Sequence, residues 1–359
     1  MFPLRVFRRH RTALGSDEQV EFYPSYGYRT AVGSQWRLVI QGCVFNPKLP
    51  WLRRRPIMGM IRRAMRVDRG ADEFFRRRMN RFLLDAPKGR AIAVEIDGQT
   101  YQAGLSGSAG LFRQELDVPE SAVNRVVAAD APQSPVRWLP FQAALASGDE
   151  RQFTGRLQLV ESSGISIVSD VDDTIKYSNV PNRRDLFHNT FSRKFRPIDG
   201  MAALYRECAA RGAVFHFVSG SPWQLYEPLS EFLREHAFPD GAFHLKPFRF
   251  RDTARKIRGP QPQLAHKLTV LEPLLAAFPE RRFILIGDSG EQDPLIYGGL
   301  LRTRPQQVAG VFIRAVRQES ADDSRLQTAF ADCPPDRWQV YQSPDEIHAP
   351  VLQLVSAVQ

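Results

Sequence analysis

At 359 residues, 43% hydrophobic and 25% charged, the chain is long enough for two domains with cores of their own and too apolar to be disordered. The basic excess is lopsided: residues 1–90 hold 20 Lys and Arg against 7 Asp and Glu, and the remainder 29 against 32. Cys43, Cys208 and Cys333 are too few and too far apart for a disulfide framework or a cysteine metal site, and no apolar run approaches the ~20 residues that span a bilayer.

The arginines near Met1 are followed by no apolar stretch, so no secretory leader is read there. A soluble, cytoplasmic protein is expected. The early positive charge asks for an anionic partner: nucleic acid, a membrane surface or an acidic protein.

Residues 1–160 read as a mainly β, sandwich-like domain. "WRLVIQGCVF", "AIAVEIDGQTYQAGL", "LFRQELDV" and "FTGRLQLV" are short runs with partial alternation. Ile92, Val94 and Ile96 share one face ahead of an Asp97-Gly98 turn. Residues 51–84 differ. Met60, Ile61, Met65, Phe74, Phe75, Met79 and Phe82 recur at helical spacing between arginine triplets, predicting a basic helical insertion. Such a helix can lie on anionic lipid or pack on its own sandwich with arginines in water, and the second reading is the more economical.

From Gly164 the pattern becomes strand then helix. Short apolar strands are predicted at Ile165–Ser169, Val214–Ser219, Phe283–Gly287 and Val308–Ala315. Helical stretches lie between them; one stops at Gly212, and another opens with Ser221 as cap and Pro222 in its first turn. Residues 161–359 are therefore expected to form an α/β domain with a Rossmann-like parallel sheet covered on both faces. Ligands of such sheets bind beyond the carboxyl ends of the strands.

The strand ends carry the chemistry. Asp170, Asp172, Asp173 and Thr174 follow the first strand, Ser219 closes the second, and "GDSGEQD" supplies Asp288 and Asp293 after the third; Lys267 precedes that strand on a helix. Each alone is commonplace: an Asp-rich turn, a Gly-Asp turn, a solvated lysine. Together and in this order they are not. Carboxylates converging on one rim repel each other unless a divalent cation sits among them, and Mg²⁺ accepts a few carboxylates together with a phosphate oxygen.

D-x-D-x-T, a strand-closing Ser, a later Lys and G-D-x-x-x-x-D resemble the haloacid dehalogenase superfamily of phosphohydrolases. "SDVDDTIKYSNV", "PIDGMAALY", "FHFVSGSPWQLY" and "FPERRFILIGDSGEQDPLIY" resemble one branch of it, the App1-type phosphatidate phosphatases related to the lipins, over about residues 164–317. The resemblance implies a parallel sheet of the haloacid dehalogenase type, Asp170 as nucleophile and Asp172 as acid and then base. It further implies Ser219 and Lys267 on the phosphate, with Thr174 at the same loop. Mg²⁺ would be held by Asp170, Asp288 and Asp293 with the backbone carbonyl of Asp172. Asp173 stands where lipin-type enzymes usually have Gly.

Both superfamily insertion points are short here, about 25 residues each, which predicts an open site. The second, residues 241–265, interleaves Lys246, Arg249, Arg251, Arg255, Lys256 and Arg258 with Phe248 and Phe250, a composition suited to an anionic surface, to single-stranded nucleic acid or to a plain solvated loop. His216 is expected as a core histidine, and His266 has no assigned role.

The expected activity is Mg²⁺-dependent phosphomonoester hydrolysis through an aspartyl-phosphate. Its expected substrate is a phosphatidate-like phospholipid met by peripheral contact on the inner face of an anionic membrane, in preference to nucleic acid. Two alternatives stay open: a membrane- or partner-binding protein using a phosphatase fold for recognition, and a phosphatase for protein or nucleic-acid phosphates. Oligomeric state is not legible.

Overall fold

The computed structural model describes residues 13–30, 34–48, 58–63, 72–129, 136–248 and 262–357. The first half contains β1 (Gln19–Phe22), β2 (Ser25–Arg29), β3 (Gln35–Phe45), helix α1 (Asp72–Phe82), β4 (Ala91–Ile96), β5 (Gln99–Leu105), β6 (Leu111–Pro119), α2 (Glu120–Ala129), β7 (Arg137–Ala143) and β8 (Thr154–Val160). Its strands join in the order β1-β3-β2-β8-β7-β4-β5, with β6 also paired to β3. Hydrogen bonding thus runs through one continuous eight-stranded sheet instead of two separate ones. The β4–β5 hairpin forms as expected. Ile92, Val94 and Ile96 are buried, and Asp97 and Gly98 both take positive φ (53° and 70°), as a tight two-residue turn requires.

The second half contains β9 (Ile165–Ser169), α3 (Arg183–Phe191), α4 (Met201–Ala210), β10 (Val214–Pro222), α5 (Tyr226–Glu235), β11 (Ala242–Lys246), α6 (Pro262–Ala277), β12 (Arg282–Asp288), α7 (Asp293–Thr303), β13 (Val308–Arg314), α8 (Ser324–Ala329), β14 (Trp338–Tyr341) and α9 (Asp345–Ser356). The six strands form a parallel sheet in the order β11-β10-β9-β12-β13-β14. All five side chains of β9 are buried, because helices cover both faces: α4, α5 and α9 on one, α6, α7 and α8 on the other. The chain moves from β9 to β10 on one side and to β12 on the other. That reversal opens a crevice at the carboxyl end of β9.

Two local expectations are corrected. β10 runs on through Ser221 and Pro222, and a short 3₁₀ turn, Trp223–Leu225, precedes α5, so Ser221 caps no helix. Residues 242–246 are a sheet strand, paired in parallel to β10, and not part of an insertion.

The halves share their cores. Tyr23 stacks on Trp223 at 4.2 Å, Gln41 donates to the Phe243 carbonyl at 3.0 Å, and Gln158 donates to the Phe215 carbonyl at 2.9 Å. Helix α1 turns its buried side on the α/β half, where Phe75 and Met79 meet Phe187 and Phe191 of α3, while Arg81 reaches Glu21 of β1 and the Phe45 ring of β3. Its arginines are engaged. Arg78 is buried and donates to the carbonyls of Thr190 (2.8 Å) and Arg193 (2.7 Å), Arg77 bonds Glu227 at 3.0 Å and also Glu231, and Arg81 pairs with Glu21. Residues 51–57 and 64–71 of the predicted basic segment lie outside the described residues.

Candidate active site

The carboxyl ends of the two central strands bring the acidic residues together. Asp170 follows β9, and its N–H donates to the Ile286 carbonyl of β12 at 2.9 Å, which fixes it beside Asp288 at the end of β12. Asp293 opens α7, with Pro294 behind it, and its carboxylate folds back over Gly287. A Cβ at Gly287 would meet that carboxyl group, with Cγ only 2.8 Å away, so the motif glycine makes room for the motif aspartate. Asp170, Asp288 and Asp293 each offer an oxygen within 4.8 Å of the others.

One ammonium lies among them. Lys267 Nζ donates to Asp170 Oδ1 at 2.7 Å and to Asp293, with Glu291 at 3.4 Å. Asp170 and Lys267 are each 1% exposed. Burial pushes Asp170 well above the usual carboxylate range despite Lys267, and Asp293 and Glu291 push it the same way. Asp288 is raised by burial, then by Asp293 and Asp170. Burial works to lower Lys267, but Asp170, Asp293 and Glu291 outweigh it and keep its pKa well above the ordinary value. Four carboxylates around one ammonium leave uncompensated negative charge. Asp288 makes this concrete: Oδ1 accepts from the N–H groups of Gly290 (2.6 Å) and Glu291 (3.1 Å), whereas the buried Oδ2 has no hydrogen-bond partner among the described residues. An unpartnered carboxylate oxygen beside two more carboxylates is a donor set that fits a hard divalent cation.

Asp172 faces a different set. Its carboxylate accepts from Ser219 (3.1 Å), Ser221 (2.9 Å) and Ser178 (2.7 Å) and pairs with the buried Lys176 at 2.7 Å. Burial would raise its pKa, but Lys176 and the serine hydroxyls prevail and bring it to about 2. Its side chain is thus apart from the three-carboxylate group. Ser219, expected on phosphate, here holds Asp172, and Thr174 donates to Asp170 Oδ2 at 3.3 Å. Lys176, Ser178, Ser221 and Glu291 were not foreseen. Only Ser221, in the strand-closing Ser-Gly-Ser, carried a local hint.

The D-x-D-x-T loop explains its own odd residue. Asp173 has φ of 58°, the left-handed conformation that glycine adopts freely, and its carboxylate accepts from the N–H groups of Ser178 (2.8 Å), Asn179 (2.8 Å) and Val180 (2.6 Å). This holds the following loop over the site, where Pro181 approaches Gly290. The carboxylates themselves are buried.

His216 is a core residue, fully buried with its ring nitrogen 3.4 Å from His244. His266 is held by the backbone at Ser219 and His244. Of the second insertion, Lys246 and Phe248 are described, whereas Arg249, Phe250, Arg251, Arg255, Lys256 and Arg258 lie outside the described residues.

Residues 165–315 match the family described as phosphatidate phosphatase APP1, catalytic domain. An uncharacterized protein of Schizosaccharomyces pombe is 30% identical over 190 residues, covering 52% of this chain and 31% of its own length. Phosphatidate phosphatase APP1 of Saccharomyces cerevisiae is 32% identical over 169 residues, 45% of this chain and 28% of its own. The chain thus spans under a third of the length of these curated relatives, and the similarity to the APP1 catalytic domain is confined to residues 165–315. Among solved structures, a chain of the Pnkp1/Rnl/Hen1 complex aligns at TM-score 0.29 and 14% identity, over 52% of this chain and 58% of that one, too loosely to bear on fold or function.

Proposed function

We propose that the protein is a Mg²⁺-dependent phosphomonoesterase that works through an aspartyl-phosphate on phosphatidate-like phospholipids. One observation carries the reading: Asp170, Asp288 and Asp293 converge within 4.8 Å around Lys267 in a segment that matches a phosphatidate phosphatase catalytic domain. In this reading residues 161–359 form a phosphatase domain of the haloacid dehalogenase type and residues 1–160 a separate β domain. The enzyme is cytoplasmic and meets its lipid at the surface of an anionic membrane.

Asp170, Asp288 and Asp293 would hold the cation, with the backbone carbonyl of Asp172 completing the set. When bound, it offsets charge on the phosphate and on the carboxylates. Asp170 attacks phosphorus, forming a new P–O bond as the ester P–O bond breaks, and Lys267 keeps its oxygen in place. The departing oxygen takes a proton from Asp172, which then takes one from the water that releases phosphate from Asp170. In the resting site Asp172 is ionised, the form that activates water. For the first step it needs a proton, which a phosphate monoester entering as its monoanion can supply, while Lys176 Nζ, at 2.7 Å, holds the carboxylate in place. Ser219 would turn from Asp172 to a phosphate oxygen, while Thr174 holds Asp170.

The test is phosphate release from phosphatidate in vesicles by wild type and Asp170→Asn, each with Mg²⁺ and with chelator. Release that needs both Asp170 and Mg²⁺ supports the reading. Asp170-dependent turnover of an aryl phosphate without release from lipid keeps the chemistry and removes the lipid. Silence on both removes the enzyme.

A further inference from the structure

Near the end of β10 lies a half-open cavity of about 400 Å³, within the range of roughly 300–1,000 Å³ usual for small-ligand sites. Its walls include Tyr23, Phe45, Phe82, Leu84, Leu111 and Trp223. Most of this lining comes from the N-terminal half, which the reaction described above does not use. The Arg81–Glu21 pair forms part of one wall, with the guanidinium carbon over the Phe45 ring at 4.9 Å.

We infer that this chamber receives an acyl chain of the lipid substrate, so that the β domain builds a chain-binding subsite for the phosphatase domain. The inference rests on the lipid phosphatase reading and adds to it where the chain goes. The argument is one of direction. With phosphorus at Asp170, the departing glycerol oxygen must lie at Asp172, so the acylated part of the substrate leaves the site on the Asp172 side. On that side Ser221 donates to Asp172 at 2.9 Å, and β10 runs on through Pro222 to Trp223. Two residues of extended chain span roughly 7 Å, so the chamber wall begins two residues beyond the serine that holds the acid.

Trp223 is fixed there by its stacking on Tyr23 of the β domain, at 4.2 Å with 11° between the rings. Phe82, also in the lining, is held by rings 5.6 Å away on Phe191 and Phe248. Rigid aromatic walls around a space of this size suit a flexible hydrocarbon chain, which gains by leaving water and makes no demand for directed hydrogen bonds.

The experiment compares kcat/KM for phosphatidates with two four-carbon chains and two eight-carbon chains, below the concentration at which they aggregate. The readout is the eight-to-four ratio within each protein, so a partly misfolded variant does not imitate the effect. For wild type the ratio should rise by about fourfold for each methylene that enters the chamber. Leu84→Trp, which narrows the chamber, should lower the ratio by about fourfold for each methylene it displaces. A flat wild-type ratio, or one unchanged by Leu84→Trp while hydrolysis still needs Asp170, would overturn the inference and point to another occupant.

If phosphatidate is not hydrolysed at all, the lipid phosphatase reading fails and the chamber is judged by binding. A lysophosphatidate with a brominated chain should quench tryptophan fluorescence in wild type and lose that effect in Trp223→Phe. No quenching dependent on Trp223 would sink the chain site as well.

Discussion

Lys267 Nζ lies 2.7 Å from Asp170 Oδ1 and also bonds Asp293, so a single buried ammonium ties the carboxylate at the end of β9 to the carboxylate that opens α7. Removing one partner of a buried charged group typically costs on the order of 3–5 kcal/mol, because the remaining charges are left uncompensated. Lys267→Met is expected to lower stability by about that much in chelator and by less with Mg²⁺ present. Urea denaturation under both conditions checks it. Equal loss in both would mean that no cation shares the site.

Asp288 offers a direct test of cation binding. Its unpartnered Oδ2 is the oxygen most in need of a positive partner. Mg²⁺ should raise the wild-type melting temperature in a concentration-dependent way, since a ligand that binds only the folded state stabilises it by about 2.7 kcal/mol at 100 times its Kd. Asp288→Asn should largely remove the response. A response of unchanged size would place the cation elsewhere.

Asp173 combines a strained backbone with three hydrogen bonds. Asp173→Ala keeps the positive φ, loses the acceptor and should cost about 3 kcal/mol, whereas Asp173→Gly should cost about 1 kcal/mol less because glycine adopts this conformation freely. Paired chemical denaturation curves give the comparison. The reverse order would mean that the loop is not held through Asp173.

His216, His244 and His266 cluster behind β10, and burial lowers all three: His216 well below its usual value, His244 to about 3 and His266 to about 4. In the unfolded chain they would titrate near 6.5, so on acidification the unfolded state binds protons that the folded state refuses. Their contribution is intact above about pH 6.5 and is lost progressively as pH falls toward 4. At pH 5 the loss is at most about 2 kcal/mol for each histidine that stays neutral. Stability measured from pH 7.5 to 5 should fall, and His244→Gln should flatten that fall. A pH-independent plateau would contradict the buried, neutral state.

Arg78 anchors α1 to the α/β half through the carbonyls of Thr190 and Arg193, with its guanidinium carbon 3.8 Å over the Phe195 ring. Arg78→Ala should cost on the order of 3 kcal/mol. Arg78→Lys should recover only part of it, because an ammonium does not reproduce a planar fork that reaches two carbonyls and stacks on a ring. Full recovery by lysine would show that charge alone is at work.

Much of this arrangement was legible in one dimension. Continuous apolar runs of β length followed by Asp, Ser or Gly-Asp located β9, β10, β12 and β13, because a strand buried on both faces has no polar period to obscure it. β1, β2, β7, β11 and β14 escaped notice. They are short or interrupted, as by Pro140 in β7 and Gly27 in β2, and their stability comes from neighbours far along the chain. The arginine-rich helix was recognised but its surface was misjudged, since sequence periodicity says which residues share a face and not what that face meets. Arg77, Arg78 and Arg81 found their partners 60 to 154 positions away.

Local sequence identified the acidic residues and their order, since D-x-D-x-T and G-D-x-x-x-x-D are short patterns at strand ends. It also determined the turn at Asp97-Gly98, which depends only on backbone conformation. Tertiary structure alone decided that Asp172 faces Lys176 and the serines while Asp170 faces Lys267. It decided equally that Asp288 Oδ2 has no hydrogen-bond partner among the described residues, and that residues of the N-terminal half line a cavity with Trp223. The reason is physical. Strand and turn propensities act over a few residues, whereas charge compensation, burial and cavity shape are set by groups that only the folded chain brings within a few ångströms.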